Sequence, residues 1–454
     1  MRARREGKRF PSLFLSMRKG MGSKMAELFL SDRYYYYWVA PGGRAPIVEW
    51  EVVLAQDVDE QALRQALVTA LGIHTNFRVH PVIVDGRPRH EQLDTDIDAL
   101  PVFVDDGSVR RMGTVDTFGY LFYLAWDGRR VALRYFHSIA DGRGGFAFLS
   151  TVLGCYLDAR GLIDYAMPAP DSSDTCPAFE RILEQMQDVP SFGKFDPKKH
   201  DVFSMPIPRY PKGGTLQRVL EIDIPLTPLL LLSKRSVSSV VPTLQALIGH
   251  TLHKLYDVGE QTIVGYTSID TRRVFGYETG GNAATHLLVP YVAQLDRHDL
   301  SKRAMVLRAA MELQSLPENI ATEISHNMAG LVEGEEAPYP IEAITAAIEP
   351  SVFKDNNAIY TYALSYPGKI SLPEAVEPYV EEVRTSVSAY VLPFSIEACE
   401  YRGIIRMVFT QNFEDAGPVH AIYQEIAQVI PGTEFVDKGT RSYDELRLED
   451  LDHA

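Results

Sequence analysis

Arg-Tyr-Phe-His-Ser-Ile-Ala-Asp-Gly-Arg-Gly-Gly, residues 134–145, sits where one periodicity gives way to another. The run ending in it, 130–136 (RVALRYF), is apolar on both faces and predicts a buried β-strand. Behind it, Phe146, Leu149, Val152, Leu153 and Tyr156 recur at helical spacing, so a glycine-rich turn feeds a helix. His137 therefore stands at a strand end, a rigid platform from which an imidazole can face a cleft. Neutral imidazole is a natural general base for an alcohol or amine near neutral pH. Asp141–Gly142 predicts a tight turn that bends the carboxylate back under the strand, and a buried Asp there needs a cationic partner. The plain alternative is a turn carrying a satisfied surface histidine. The hairpin before the segment and the helix after it favour the functional reading.

The same alternation extends outward. Strand 47–54 precedes a helix that begins after Asp57 and Glu60, which resemble a capping box, and carries Ala62, Leu63, Ala66, Leu67, Ala70 and Leu71. Strands at 77–84 and 87–92 are joined by Asp85–Gly86, and strands at 118–126 and 130–136 by Asp127–Gly128. Between about 166 and 214, eight prolines interrupt any regular pattern except one short helix at about 177–188. Beyond it come strand 216–224, helix 242–257, strands 261–270 and 284–291, and a helical stretch 299–331 broken at Pro317. Strands at 358–365, 380–391, 394–401 and 404–410 follow, with a last helix at 417–429. Mixed strands and helices in two halves predict an α/β protein of two sandwiches. The expected division is a basic, disordered extension (1–24), a first lobe (25–190), a linker (191–215) and a second lobe (216–454).

Charge and composition exclude several function classes. The 454 residues sum to −15 with His neutral. Eight Lys and Arg stand against Glu6 alone in residues 1–24, so that head is +7 and the remainder −22. So acidic a body opposes nucleic-acid binding by phosphate neutralisation. Cys155, Cys176 and Cys399 lack metal-ligand spacing and are an odd number, which argues against a zinc site or a disulfide framework. With no stretch approaching a membrane span, a cytoplasmic protein is expected. His250 and His253, three apart on a predicted helix, read as a polar stripe rather than a metal site. His286 reads as a core or interface histidine. Tyr34 to Trp38 form an aromatic cluster at the apparent start of the folded part. No phosphate loop or dinucleotide fingerprint is present.

Phe136-His137-Ser138-Ile139-Ala140-Asp141-Gly142 resembles the active-site motif of the chloramphenicol acetyltransferase-like superfamily, which includes condensation domains, plant BAHD acyltransferases, wax ester synthases and alcohol acetyltransferases. Further segments are similar in order: Phe77-Arg78-Val79, Thr267 to Arg273, Gly281-Asn282 with Leu287 to Pro290, and Tyr362 to Gly368. The resemblance implies two lobes enclosing a tunnel with His137 at its midpoint. It implies an acyltransferase using acyl-CoA, or the pantetheine arm of a carrier protein, as co-substrate, with no bound cofactor or metal. His137 would be the base. Asp141 and Gly142 would belong to the catalytic loop, with Asp141 in a salt bridge to Arg78 as first choice or Arg272 as second. Asn282 would support the site, and Ser365 is the candidate oxyanion donor. Phe136 stands where condensation domains carry a first histidine, and Tyr366-Pro367-Gly368 stands where others have Asn-x-Gly. The first departure favours a simple O-acyltransferase with a small-molecule acceptor; the second bears on the oxyanion donor. A free-standing condensation-type enzyme with a carrier-protein partner and a non-catalytic binding protein are the alternatives.

Overall fold

The structure, a computed structural model, describes residues 46–84, 87–169, 195–206, 216–332, 360–389, 393–442 and 452–453. The basic head, the Tyr34 to Trp38 cluster, the Asp85–Gly86 turn, Cys176, the helix at 177–188 and most of 191–215 lie outside the described residues.

In the first half, strand β1 (Ile47–Leu54) is followed by helix α1 (Glu60–Ile73) and strands β2 (Val79–Val84), β3 (Arg87–Gln92) and β4 (Val102–Val104). Strands β5 (Phe122–Asp127) and β6 (Arg130–Phe136) then lead to helix α2 (Gly142–Ala159). The cap of α1 is Asp59, whose carboxylate accepts from the Ala62 amide at 3.0 Å; Asp57 lies too early to reach the first turn. The strand predicted over 118–126 begins only at Phe122, because Phe118 (φ 52°) and Gly119 (φ 81°) turn left-handed. Likewise 77–84 starts late: Thr75–Phe77 form a 3-10 turn, and Arg78 precedes β2 instead of lying on it.

The second half opens with β7 (Leu216–Pro225), then helices α3 (Leu226–Arg235), missed in the sequence, and α4 (Val240–Leu255). Next are β8 (Ile263–Asp270), the one-turn helix α5 (Thr271–Phe275), β9 (Ala284–Tyr291), and helices α6 (Leu300–Gln314) and α7 (Pro317–Val332). Strands β10 (Tyr362–Ser365), β11 (Val380–Val387), β12 (Phe394–Tyr401) and β13 (Ile404–Gln411) precede helix α8 (Gly417–Val429) and strand β14 (Glu434–Ser442). A final two-residue strand, β15 (Asp452–His453), joins β2 and β3.

Two sheets organise these elements, as the alternating pattern predicts. One has five strands in the order β11-β1-β6-β5-β4, the other seven in the order β14-β7-β13-β12-β10-β8-β9. Each buries its own apolar core, the first around Trp50, Phe77, Phe122 and Phe148, the second around Leu244, Tyr362, Phe394 and Phe409. Division by chain order assigns 380–391 to the second lobe. Instead β11 pairs antiparallel with β1, Val48 opposite Val387, and so completes the first sheet. The second half of the chain thus contributes a strand to the first.

Candidate active site

Strand β6 delivers His137 to the seam between the sheets. Phe136 pairs with Ile47 across the ladder, and the next amide, that of His137, donates to Pro46 O at 2.9 Å. The second half grips the same turn from the other side. The Asn282 amide donates to the carbonyls of His137 and Ser138, both at 2.9 Å. Asn76 adds a third tie by donating to Ile139 O at 3.0 Å and Gly280 O at 3.3 Å. His137 is half-buried while its neighbours Phe136 and Ser138 are buried. Its backbone is fixed from both halves and its ring keeps some access.

Asp141 caps α2, accepting from the Gly144 amide at 2.9 Å, and also accepts from the Ala283 amide at 2.9 Å. Its ionic partner is Arg272, whose Nη1 and Nη2 donate to the two carboxylate oxygens at 2.7 and 3.2 Å. This two-pronged pair leaves the side chains 6% and 2% exposed. Arg272 also donates to Thr279 O at 2.9 Å, Gly281 O at 2.7 Å and Asp270 at 3.2 Å. Burial alone would depress the guanidinium, but Asp141 and then Asp270 outweigh it and raise its pKa. Arg78, the first choice of partner, is not the one. It lies on the turn before β2, part-exposed, with its Nε donating to Gln92 at 3.3 Å.

The glycines divide in an unexpected way. Gly142 has no left-handed φ and a Cβ there would meet nothing within 4 Å, so no tight turn requires it. Its carbonyl accepts from Trp50 Nε1 at 2.9 Å. Gly144 and Gly145 are the sterically required pair: a Cβ on the former would strike Gly280 O, and on the latter the Tyr135 hydroxyl. Tyr135 in turn donates to Asp141 O at 2.8 Å.

Ser365 ends β10, opposite Glu397 of β12. Sequence reading overlooked Glu397, which lies mid-strand in β12 beside Ile396 and Ala398. Burial pushes its carboxyl up to about 8, against a hydrogen bond from Ser365 that pulls it down. His286 pairs through Nε2 with Glu323 at 3.2 Å, and its ring stacks on Tyr266 with centroids 4.8 Å apart. His250 and His253 both turn to Asp296, at 2.6 and 3.3 Å. Cys155 and Cys399 are buried. Among the described residues no cluster of three or more His, Cys, Asp or Glu could hold a metal, and no helix is long and apolar enough to cross a membrane.

No family model and no curated protein matches the sequence. Solved structures do match in shape. Polyketide synthase associated protein 5 from Mycobacterium tuberculosis superposes with a TM-score of 0.60 at 15% identity, covering 89% of this chain and 95% of that one. PapA2 acyl transferase gives 0.58 at 10% identity, over 93% and 95% of the two chains. TRI101 of F. sporotrichioides, complexed with coenzyme A and T-2, gives 0.54 at 10% identity, over 86% and 96%. Each of those likenesses extends over more than four-fifths of the chain. These likenesses, all at 15% identity or less, show that the chain shares the fold of these proteins.

Proposed function

We propose that this protein transfers an acyl group, acetyl in the first instance, from a coenzyme A thioester to a small-molecule hydroxyl or amine, with His137 as general base. The observation that carries this reading is the clamp on the His137 turn: Pro46 holds its amide and Asn282 its carbonyl, so one ring is presented between two sheets from a fixed backbone. A base held in this way needs no reorganisation before it accepts a proton. A structural neighbour complexed with coenzyme A supports the donor class.

In this reading a ring nitrogen of His137 takes the proton of the acceptor hydroxyl as its oxygen attacks the thioester carbonyl. The tetrahedral intermediate collapses, the C–S bond breaks, and the imidazolium returns the proton to the departing thiolate. Acceptor and thioester would meet at the seam between the two sheets, where His137 stands. Asp141 and Arg272 do no proton chemistry; they hold the loop. Ser365 is the proposed oxyanion donor. Asn282 positions the base. Mass spectrometry of products after mixing the protein with acetyl-CoA and a panel of alcohols and amines tests this. An ester or amide product, with no acyl group left on the protein by thioester alone, supports it. A stable acyl-protein would replace it with covalent catalysis, and absence of product from every acceptor would leave a binding role.

A further inference from the structure

The amide of His137 ends a relay of hydrogen bonds that starts in the other sheet. Pro46 has no N–H, so Ile47 supplies the first amide of β1. Successive residues of a strand turn their backbone groups to opposite neighbours. Pro46 therefore gives its carbonyl to the His137 amide on the β6 side, at 2.9 Å, while Ile47 addresses β11. Ladder pairing of β11 with β1 stops at Val387, opposite Val48. One residue on, the Ser388 amide still donates to Ile47 O at 2.9 Å, but the Ile47 amide is answered by the Ser388 hydroxyl, also at 2.9 Å. With that side chain in place of a carbonyl, the backbone leaves β1. The next amide, that of Ala389, donates to Gln217 Oε1 at 2.7 Å. Gln217 is the second residue of β7, in the seven-stranded sheet.

Gln217, Ser388 and Ala389 are all buried, which shields these bonds from water. Gln217 does more than fill space. Its Nε2 has no hydrogen-bond partner among the described residues, and a leucine would occupy the place without that cost. What glutamine adds is the oxygen that takes the Ala389 amide.

On its other flank the His137 turn is held through its carbonyl by Asn282, from the loop between α5 and β9. Both flanks of the base are thus referred to the second half of the chain. One tie is direct, through Asn282, and one runs through Gln217, Ser388 and the start of β1. We propose that Gln217 and Ser388 are positioning residues for His137, fixing where its amide, and with it the ring, stands relative to the sheet across the seam. They act through the strand ends and not on a reacting atom. The proposal rests on the acyl-transfer reading for the rate it sets, though not for the relay itself.

Gln217→Met keeps the length of the side chain and loses the acceptor. Ser388→Ala breaks the relay at a separate bond, and Ser388→Thr restores the hydroxyl. Acetyl transfer from acetyl-CoA is measured for each at matched folded fraction, alone and combined with His137→Ala. Amide exchange over residues 134–138 is followed by mass spectrometry. Gln217→Met and Ser388→Ala should each lower kcat by about 10- to 100-fold, the scale of a displaced catalytic group, with KM for acetyl-CoA unchanged. Ser388→Thr should recover most of that loss. In the His137→Ala background neither substitution should cost anything further, because the effect passes through the base. Exchange over 134–138 should quicken about tenfold in both. Wild-type kcat in either folded variant overturns the proposal, as does an equal loss that persists without His137, which would mark a merely structural effect. A raised KM at constant kcat overturns it too, by placing the residues in thioester binding. If the wild type acetylates no acceptor, the acyl-transfer reading fails on its own; the relay then stands if exchange quickens in both variants and falls if it does not.

Discussion

Asp141 and Arg272 are each buried and each the other's counter-charge, so neither can be neutralised alone without leaving an uncompensated ion. Asp141→Asn should cost roughly 3–5 kcal/mol, read as a lowered denaturation midpoint. An unchanged midpoint would show that the guanidinium is satisfied by Thr279, Gly281 and Asp270 without it. Glu397 gives a prediction of opposite sense. Burial raises its carboxyl to about 8 in the folded chain, against about 4.5 when unfolded, so between those values the unfolded chain releases a proton that the folded chain keeps. Stability is therefore lost as pH rises through this window. Glu397→Gln should gain relative to wild type from pH 4.5 to 8 and then plateau; a constant difference across that range would refute the raised pKa. Ser365 faces this group across the strands, and Cys399 two residues on, its own thiol pushed up to about 12 by burial, feels its charge.

The entry to α2 shows what a motif does and does not disclose. His137, Asp141 and the glycines are legible because they interrupt an apolar strand with residues that only a turn and a helix cap explain. Which glycine matters is not legible, since the decisive atom, Gly280 O, comes from a loop more than 130 residues away. Gly144→Ala should cost roughly 1–3 kcal/mol as the helix is forced off that carbonyl. Gly142→Ala should leave the midpoint unchanged or slightly raised, because alanine is the better helix former and meets open space. The reverse ranking in thermal melts would mean that the turn at 141–142 is the strained one after all. The choice between Arg78 and Arg272 was hidden for the same reason: both arginines stand next to a strand end, and only the fold decides which reaches Asp141. Glu397 escaped notice because its period-two neighbours Ser395 and Cys399 are small and, though both are buried, do not say from the sequence alone what their face meets. Helix α3 and strand β14 were missed for want of clear periodicity: β14 (EFVDKGTRS) is mostly exposed and charged.

At the scale of the molecule, the two sheets are stitched by charge as well as by β11. Arg384 of β11 pairs with Glu51 of β1 and approaches Glu221 of β7 at 3.8 Å, and Arg441 of β14 reaches Glu49 of β1 at 2.7 Å. Burial would raise the Glu49 carboxyl, but Arg441 and Arg134 outweigh it and hold it well below the usual range. Arg384→Ala should therefore loosen both sheets together, costing roughly 1–3 kcal/mol with a single cooperative transition. Separate melting of two units would contradict that stitching. What the seam is for is the central claim, and it is tested by the rate of acetyl transfer from acetyl-CoA to the best acceptor by His137→Ala against the wild type, at matched folded fraction. The account predicts a loss of about 10²–10⁴-fold with thioester binding retained. Transfer by the variant at the wild-type rate would contradict it.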